Sequence, residues 1–232
     1  MLILITPDNI EKQHISTLQN AIEEVDKLHI KISETNNFID VVNKLISEIV
    51  SKDEYKNKIV LHINENNLQL NHHLNGKNNL SEVFLKSIES LAKSGISNFH
   101  LSEKLFTDYL SIIPHDFFHS YNISVSLHHL KLNEQHNFFS YILYGPVFSS
   151  ISKVDYHPKK SLDECSEELK HISDTTEIPV IAVGGITSDN FQKIIQCGFA
   201  GVAIRGYVWN SNNPEEKLQE LLKQWDLWKC RL

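Results

Sequence analysis

The clearest structural unit of this chain is Ile195-Gln-Cys-Gly-Phe-Ala-Gly-Val-Ala-Ile204, in which a helix end, a glycine turn and a short apolar strand follow one another. The same order of residue types occurs earlier, at Leu91-Ala-Lys-Ser-Gly-Ile-Ser-Asn-Phe-His100. Glycine often ends helices, because it adopts the left-handed backbone conformation without strain. A helix–turn–strand unit that is used twice predicts alternating strands and helices, which is the pattern of a parallel sheet.

Short apolar runs extend this pattern over the whole chain. Most are too short for helices and rich in Ile, Val, Leu or aromatic residues, so they predict strands. The predicted strands are Leu2–Thr6, Leu28–Ile32, Ile59–Ile63, Asn98–Leu101, Ile123–His128, Tyr141–Val147, Val180–Gly184 and Gly201–Arg205. Eight strand–helix units in 232 residues predict an α/β fold, a single (β/α)8 TIM-barrel domain over residues 1–232. A doubly wound open sheet is the alternative.

Amphipathic segments between the strands predict the helices. Phe38–Val50 and Asn190–Cys197 place apolar side chains at helical spacing. A C-terminal helix is predicted over residues 213–230, because Asn213 is a suitable cap and a proline follows it in the first turn. Residues 66–80 are polar and rich in asparagine, which predicts a long inserted loop between the third strand and its helix.

Composition excludes several classes of protein. Hydrophobic residues make up 41% of the chain and charged residues 22%, which favours a globular domain over a disordered one. The net charge of −7 argues against a general nucleic-acid or membrane-surface binder. No apolar run approaches the roughly 20 residues of a membrane span, and the N-terminus resembles a strand rather than a signal peptide. Three cysteines without metal-ligand spacing indicate a reducing compartment, so we expect a cytoplasmic protein.

The strongest local signal for chemistry is Val180-Ile-Ala-Val-Gly-Gly-Ile-Thr-Ser-Asp189, where a buried strand ends in Gly184 and Gly185. Glycines let backbone N–H groups approach an anion closely. The eighth strand ends similarly, at Arg205 and Gly206, and in such barrels the loops after strands seven and eight often hold a phosphate. We therefore predict a phosphate site here; two tight turns without a ligand are the alternative.

Polar side chains also follow strands five and six. Ser150, Ser152 and Lys153 come after the sixth strand, and hydroxyl and ammonium groups suit phosphate oxygens. A solvated loop is the alternative there. Ser126 and His128 alternate to one face of the fifth strand, so both can meet a substrate. A hydrogen-bonded core residue is the alternative for His128.

Two kinds of metal site are compatible with the residue types. Asn64 and Glu65 follow the third strand and Glu103 follows the fourth, so an amide and two carboxylates are available for Mg²⁺. Helix capping is the alternative for these carboxylates.

Four histidines fall within or at the ends of strands two to five, and together they suit a metal centre. These residues are His29, His62, His100 and His128. We interpret His29 and His62 instead as core side chains with hydrogen-bond partners.

Together these segments resemble the thiamine phosphate synthase and thiazole tautomerase superfamily over residues 1–209. The most specific likenesses are Gly145-Pro-Val-Phe-Ser-Ser-Ile-Ser-Lys153 and Ile178-Pro-Val-Ile-Ala-Val-Gly-Gly-Ile-Thr187. They are similar to the family's Gly-Pro-Val-Phe…Thr-x-Thr-Lys and Pro-Val-x-Ala-Ile-Gly-Gly-Ile patterns. Ile123-Ser-Val-Ser-Leu-His128 is similar to its Gly-x-Ser-x-His strand, and Phe99-His-Leu101 to its Val-His-Leu strand.

The resemblance implies a transferase of thiamine biosynthesis. Hydroxymethylpyrimidine diphosphate would lose pyrophosphate, and the ring nitrogen of a thiazole phosphate would take the exposed carbon. The implied cofactor is Mg²⁺, and the implied partners are small phosphorylated pyrimidine and thiazole substrates, with no nucleic acid and no membrane; a homodimer is left open. The alternatives are a thiazole tautomerase, with His128 as acid–base residue, and a non-catalytic paralogue that binds a phosphorylated thiazole or thiamine phosphate.

The resemblance also implies roles for individual residues. Lys153 would contact the pyrophosphate, Lys31 would keep one positive charge of the family's second strand, and Ser126 would lie beside the pyrimidine diphosphate. These three residues and His128 are the catalytic candidates. The thiazole phosphate would be held by Ser150, Ser152, Gly184, Gly185, Arg205 and Gly206.

The metal half of the family pattern is altered in this sequence. Asn64 and Glu65 stand at the family's Asn-Asp pair, so a longer carboxylate replaces the Asp. Ser102-Glu103-Lys104-Leu105 stands where the family has Gly-Gln-x-Asp, and Ser33 stands where it has a lysine. We therefore expect Glu65 and Glu103 as the magnesium ligands.

Overall fold

The described strands form a closed parallel barrel in which each strand pairs with its neighbours in sequence order. The computed structural model describes residues 1–32, 37–64, 77–109, 113, 115–132, 136–151, 157–173 and 176–229. The strands are β1 (Leu2–Ile5), β2 (Lys27–Ile30), β3 (Ile59–Ile63), β4 (Asn98–Leu101), β5 (Asn122–Leu127), β6 (Phe139–Tyr144), β7 (Val180–Val183) and β8 (Gly201–Ile204). The predicted (β/α)8 barrel is confirmed, and the open sheet is excluded because β1 pairs with β8.

Helices surround the barrel. Those in the described residues are α1 (Lys12–Glu24), α2 (Phe38–Ile49), α3 (Lys77–Ala92), α4 (Glu103–Tyr109), α5 (His115–Ser120), α6 (Leu162–Ser173), α7 (Phe191–Cys197), α8 (Gly206–Trp209) and α9 (Pro214–Lys229), with a 3-10 helix at Asp53–Lys58. The polar loop predicted for residues 66–80 is wrong at its end, because α3 begins at Lys77 and a polar composition does not stop a helix. The rest of that segment, residues 66–76, lies outside the described residues. None of the described helices is long and apolar enough to cross a membrane.

Two strands end two or more residues earlier than the apolar runs predict. β2 ends at Ile30, because the next N–H group, that of Lys31, donates to the Thr6 hydroxyl at 2.9 Å. β6 ends at Tyr144, and the N–H of Val147 donates to the Val183 carbonyl at 3.0 Å. In both cases a loop contact replaces the strand ladder at the C-terminal end of the barrel, where the loops converge.

Alternation along the strands divides the apolar side chains between two cores. Leu2 and Leu4 of β1 pack outward against the helices, whereas Ile3 and Ile5 point into the barrel. The interior itself has two sides. Its apolar half consists of Ile3, Ile5, Leu143, Ile181 and Ala203 from β1, β6, β7 and β8. Its polar half consists of His29, His62, His100, Ser124 and Ser126 from β2 to β5, which are joined by hydrogen bonds.

Candidate functional site

A cavity of about 370 Å³ lies at the C-terminal ends of the barrel strands. Residues from the end of every strand line it, as expected for the catalytic face of this fold. The predicted site residues that line it are Lys31, Asn64, Ser126, His128, Ser150, Gly184, Gly185, Arg205 and Gly206. The predicted residues Glu65, Ser152 and Lys153 lie outside the described residues. The structure thus brings together every described residue of the predicted substrate site.

A carboxylate that the sequence analysis missed holds two cations at the rim of this cavity. Asp8, in the loop after β1, pairs with Lys31 at 2.9 Å and also with Arg205. The Thr6 hydroxyl fixes the backbone of Lys31. Partial burial acts to raise the pKa of Asp8, but its hydrogen bonds to the two cations outweigh burial and hold the pKa below its ordinary value. In this cluster of described rim residues, two positive charges therefore share one negative charge.

The Gly184–Gly185 turn is fixed by the loop that follows β6. Both glycines have positive φ, 99° and 66°. A Cβ on Gly184 would lie 2.8 Å from Pro146, and one on Gly185 would lie 2.4 Å from the Ser149 carbonyl oxygen. The N–H of Phe148 donates to the Gly184 carbonyl at 3.1 Å. The loops after β6 and β7 thus pack too closely for side chains at these two positions. Because both glycines line the cavity, their bare backbone faces it.

His128 is held in one orientation beside the cavity. Its Nδ1 donates to the Gly145 carbonyl at 2.7 Å, so Nε2 is the acceptor nitrogen of the neutral ring. Nε2 lies 4.0 Å from the Glu103 carboxylate. That carboxylate also lies 3.1 Å from His129 and accepts the N–H of His128. Glu103 is therefore engaged by two histidines and does not line the cavity.

The floor of the cavity contains two histidines that the predicted site did not include. His62 and His100 are opposite each other on β3 and β4 and line the cavity, with the fully buried His29 next to them. Burial lowers the pKa of His100 to about 3 and those of His29 and His62 well below their ordinary value. The interpretation of His29 as a hydrogen-bonded core residue is confirmed. In the sequence, the matching positions of His62 and His100 within neighbouring predicted strands are the signal that could have placed these two histidines together.

The described donor set does not fit a magnesium ion. Asn64 supplies an amide, but none of the cavity-lining residues in the described part of the chain is a carboxylate. The described residues also contain no group of three His, Cys, Asp or Glu side chains arranged to hold a metal ion. The predicted ligand Glu103 faces two histidines instead.

Sequence comparison finds relatives for the C-terminal half of the barrel. Residues 116–208 match a family model described as thiamine monophosphate synthase. The thiamine-phosphate synthase of Methanobrevibacter smithii is 35% identical over 86 residues, which cover 36% of this chain and 38% of that protein. The thiamine-phosphate synthase of Salinibacter ruber is 37% identical over 76 residues, 33% of this chain and 32% of that protein. The chain thus spans about a third of the length of these curated relatives.

Structural comparison covers the whole barrel. The crystal structure of a thiamine phosphate pyrophosphorylase from Bacteroides thetaiotaomicron superposes with a TM-score of 0.66 over 97% of this chain and 98% of that chain. The two sequences are 23% identical, so this likeness shows a common fold. The matched family segment includes the Gly184–Gly185 turn and Arg205, whereas Lys31 and Asn64 lie before it.

Proposed function

We propose that this chain, whose residues 116–208 match the thiamine monophosphate synthase family model, joins hydroxymethylpyrimidine diphosphate to a thiazole phosphate. The bond between the pyrimidine methylene carbon and the diphosphate oxygen breaks, and pyrophosphate leaves with the electron pair. The thiazole ring nitrogen then forms a bond to the same carbon. We place this transferase in the cytoplasm, which the free thiols of Cys165 and Cys197 favour.

The observation that carries the proposal is one cavity that contains two cationic groups and a glycine turn. Arg205 and the Gly184–Gly185 backbone lie on the β7–β8 side, and Lys31 lies after β2. We assign the thiazole phosphate to the first group and the pyrophosphate to Lys31. Ser126 and His128 line the space between the ends of β4 and β6. Two anion positions on one rim suit a reaction between two phosphorylated rings.

The barrier of this reaction arises from charge separation as pyrophosphate leaves. A lysine or arginine aimed at the departing oxygens stabilises that charge most strongly where water is excluded. Lys31 serves this purpose, and we add Lys153 from the family pattern. Magnesium, which the family implies, would neutralise further charge; because the described donor set does not fit it, the ion is given no step here.

The test is an assay of the purified chain with Mg²⁺ and both substrates, in which thiamine phosphate is the product. Lys153→Ala should lower the rate by roughly tenfold or more, because one charge-assisted contact contributes about 1.5–3 kcal/mol. The exposed Lys159 provides a matched control, and Lys159→Ala should keep the wild-type rate. No product from the wild-type chain would contradict the proposal.

Thiazole tautomerase activity is the second candidate, and His128 favours it. The Gly145 carbonyl fixes the tautomer of this ring, and the acceptor nitrogen lies near the Glu103 carboxylate, so the ring can take a proton and return it. This reaction needs no metal. Isomerisation of a thiazole phosphate by the wild type, without synthase product and abolished in His128→Asn, would favour it. Binding of thiazole phosphate without either reaction would indicate a non-catalytic paralogue.

A further inference from the structure

The hydroxyl of Tyr207 joins the loop after β7 to helices α8 and α9. This loop begins with Gly184 and Gly185, which line the cavity, and continues through Ser188. Ser188 Oγ lies 2.8 Å from the Tyr207 hydroxyl oxygen in α8, and that hydroxyl also contacts the Glu220 carboxylate in α9. The reaction proposed above gives no role to these three side chains.

Lys217 completes this group of side chains on the side of α9. Its ammonium nitrogen lies 2.6 Å from Glu220 Oε1 and 5.3 Å from the centre of the Tyr207 ring. Hydrogen bonds from Lys217 and Tyr207 hold the pKa of Glu220 below its ordinary value, so this carboxylate is ionised at neutral pH. Because the ammonium group balances the carboxylate, the four side chains together bring no net charge to the anion positions of the rim.

The direction of donation among these groups follows from the ionised carboxylate. A carboxylate only accepts hydrogen bonds, so the Tyr207 hydroxyl donates its one proton to Glu220. The Tyr207 oxygen then accepts a hydrogen bond from the Ser188 hydroxyl. Because the Ser188 proton points towards Tyr207, it is not available to an anion in the cavity. The Ser188 side chain therefore holds the loop, and the loop offers an anion its backbone N–H groups.

The loop after β7 is braced from within by the side chain of Asn190. Its amide nitrogen donates to the Gly185 carbonyl at 2.9 Å, and its oxygen accepts the N–H of Thr187 at 2.8 Å. The loop after β6 packs against the glycine turn from the other side. Ser188 comes directly after Thr187, so a hydrogen bond made by its side chain acts on the braced loop as a whole, including the glycine turn.

The helix that receives this hydrogen bond, α8, is itself anchored to the barrel. The indole N–H of Trp209 donates to the Ile5 carbonyl at the end of β1 at 2.7 Å. The side-chain amide of Asn210 donates to the Ile151 carbonyl in the loop after β6 at 3.3 Å. Arg205 lines the cavity immediately before α8. A loop that is tied to α8 is therefore held at a fixed position relative to Arg205.

We infer that Tyr207 is a positioning residue of the anion site: its hydroxyl, held by Glu220, accepts from Ser188 and keeps the glycine turn in place beside Arg205. This inference rests on the proposed function, which assigns the thiazole phosphate to that turn and Arg205. The Tyr207 hydroxyl acts through the loop and not on the reacting atoms. Its loss should therefore weaken binding of an anion at the turn and leave binding of an anion at Lys31 unchanged.

The first test needs no ligand. The N–H of Thr187 donates to the Asn190 side chain, so its exchange with deuterium reports on opening of the loop. Tyr207→Phe should raise this exchange rate roughly three- to tenfold, because one hydrogen bond that holds the loop is lost. Glu216→Gln is the matched control, since Glu216 is exposed on the same helix and contacts Asn213 instead. Unchanged exchange in Tyr207→Phe would overturn the inference.

The second test measures the affinity for thiazole phosphate by calorimetry. Tyr207→Phe and Ser188→Ala should each weaken binding roughly three- to tenfold. The double variant should bind no more weakly than either single variant, because both substitutions break the same hydrogen bond. Ser188→Thr keeps the hydroxyl and should keep the wild-type affinity, and pyrophosphate should bind equally to all of these variants. Additive losses in the double variant would show that Ser188 contacts the anion directly and would overturn the inference.

Neither test uses turnover, so the inference and the proposed function can fail separately. A wild type that binds inorganic phosphate but no thiazole phosphate would contradict the proposed function. The same variants measured with inorganic phosphate would then decide the role of Tyr207. A wild type that binds neither ligand would overturn both.

Discussion

The polar and apolar halves of the barrel interior are built from different strands of one parallel sheet, and they carry different side chains. The apolar half fills its side with aliphatic side chains, and its rim carries Arg205 and the glycine turn. The polar half replaces those aliphatic groups with histidines and serines, and its rim carries Lys31 and Asn64. The apolar half thus supports a rim of bare backbone, to which our proposal assigns a phosphate, whereas the polar half presents hydrogen-bonding groups to the cavity.

The family match follows this division. Residues 116–208 contain β5 to β8, so the sequence likeness includes the Gly184–Gly185 turn and Arg205 and leaves out β1, β2, β3 and β4. The three histidines lie on those unmatched strands. The difference teaches that the sequence likeness covers the glycine turn and Arg205, while the three histidines of the polar half lie outside it.

Lowering the pH should have the largest effect. It should reduce the free energy of unfolding through the buried histidines of the polar half. Burial holds the pKa of His100 at about 3 and that of His29 well below the ordinary 6.5. Stability from these neutral rings is complete above the unfolded pKa and falls as pH drops below it, because only the unfolded chain takes up protons there. Between about pH 7 and about pH 5 the neutral His100 ring alone should cost about 2 kcal/mol of stability.

Urea unfolding at those two pH values measures this loss. Equal free energies of unfolding would contradict the neutral, buried state of the histidines. Ring signals of His29 and His100 that change with pH while the chain stays folded would contradict it as well.

Replacing Arg205 and replacing Lys31, the two cations of the rim, should each weaken the binding of a different anion. Arg205→Ala should weaken binding of thiazole phosphate by roughly ten- to a hundredfold, because a charge-assisted contact is lost. Lys31→Ala should weaken pyrophosphate binding by a similar factor. Calorimetry of both ligands with both variants makes each variant the control for the other. Equal losses for both ligands in both variants would show that the two positions are one.

The glycine turn of the apolar half should tolerate substitution poorly. Gly185→Ala places a Cβ within 2.4 Å of a carbonyl oxygen at a φ of 66°, so we expect it to destabilise the fold. The cost should be roughly 1–3 kcal/mol. Gly198→Ala is the control, since φ there is 98° but nothing lies within 4 Å of the added Cβ. If thermal unfolding shows equal losses for the two variants, loop packing does not fix the turn.

Neutralising the rim carboxylate should have the smallest effect. Asp8→Asn removes the partner of both cations, so inorganic phosphate should bind a few-fold more tightly; exposed ion pairs contribute little. Asp53→Asn is the control, because Asp53 pairs with Lys56 on the 3-10 helix, away from the cavity. Weaker phosphate binding in Asp8→Asn would show instead that Asp8 orients the two cations.

The fold and the glycine turn at the cavity could be predicted because their signals are local in sequence. Apolar runs located every strand of the barrel within a few residues, and the Gly184–Gly185 turn is visible in a stretch of ten residues. The polar half could not be assembled in this way. His29 and Tyr141 are 112 residues apart, and their contact depends on closure of the barrel. Asp8 was missed for the same reason, since its partner Arg205 is 197 residues away.

The contact between Gly185 and the loop after β6 also bears on how such proteins are recognised. A pair of glycines at this point is required because two segments of the chain touch there, whether or not anything is ever bound. A search based on that pair therefore gathers barrels with the same internal architecture, whatever reaction they perform. Sorting those barrels by reaction calls for the side chains across the cavity, on the second, third and fourth strands.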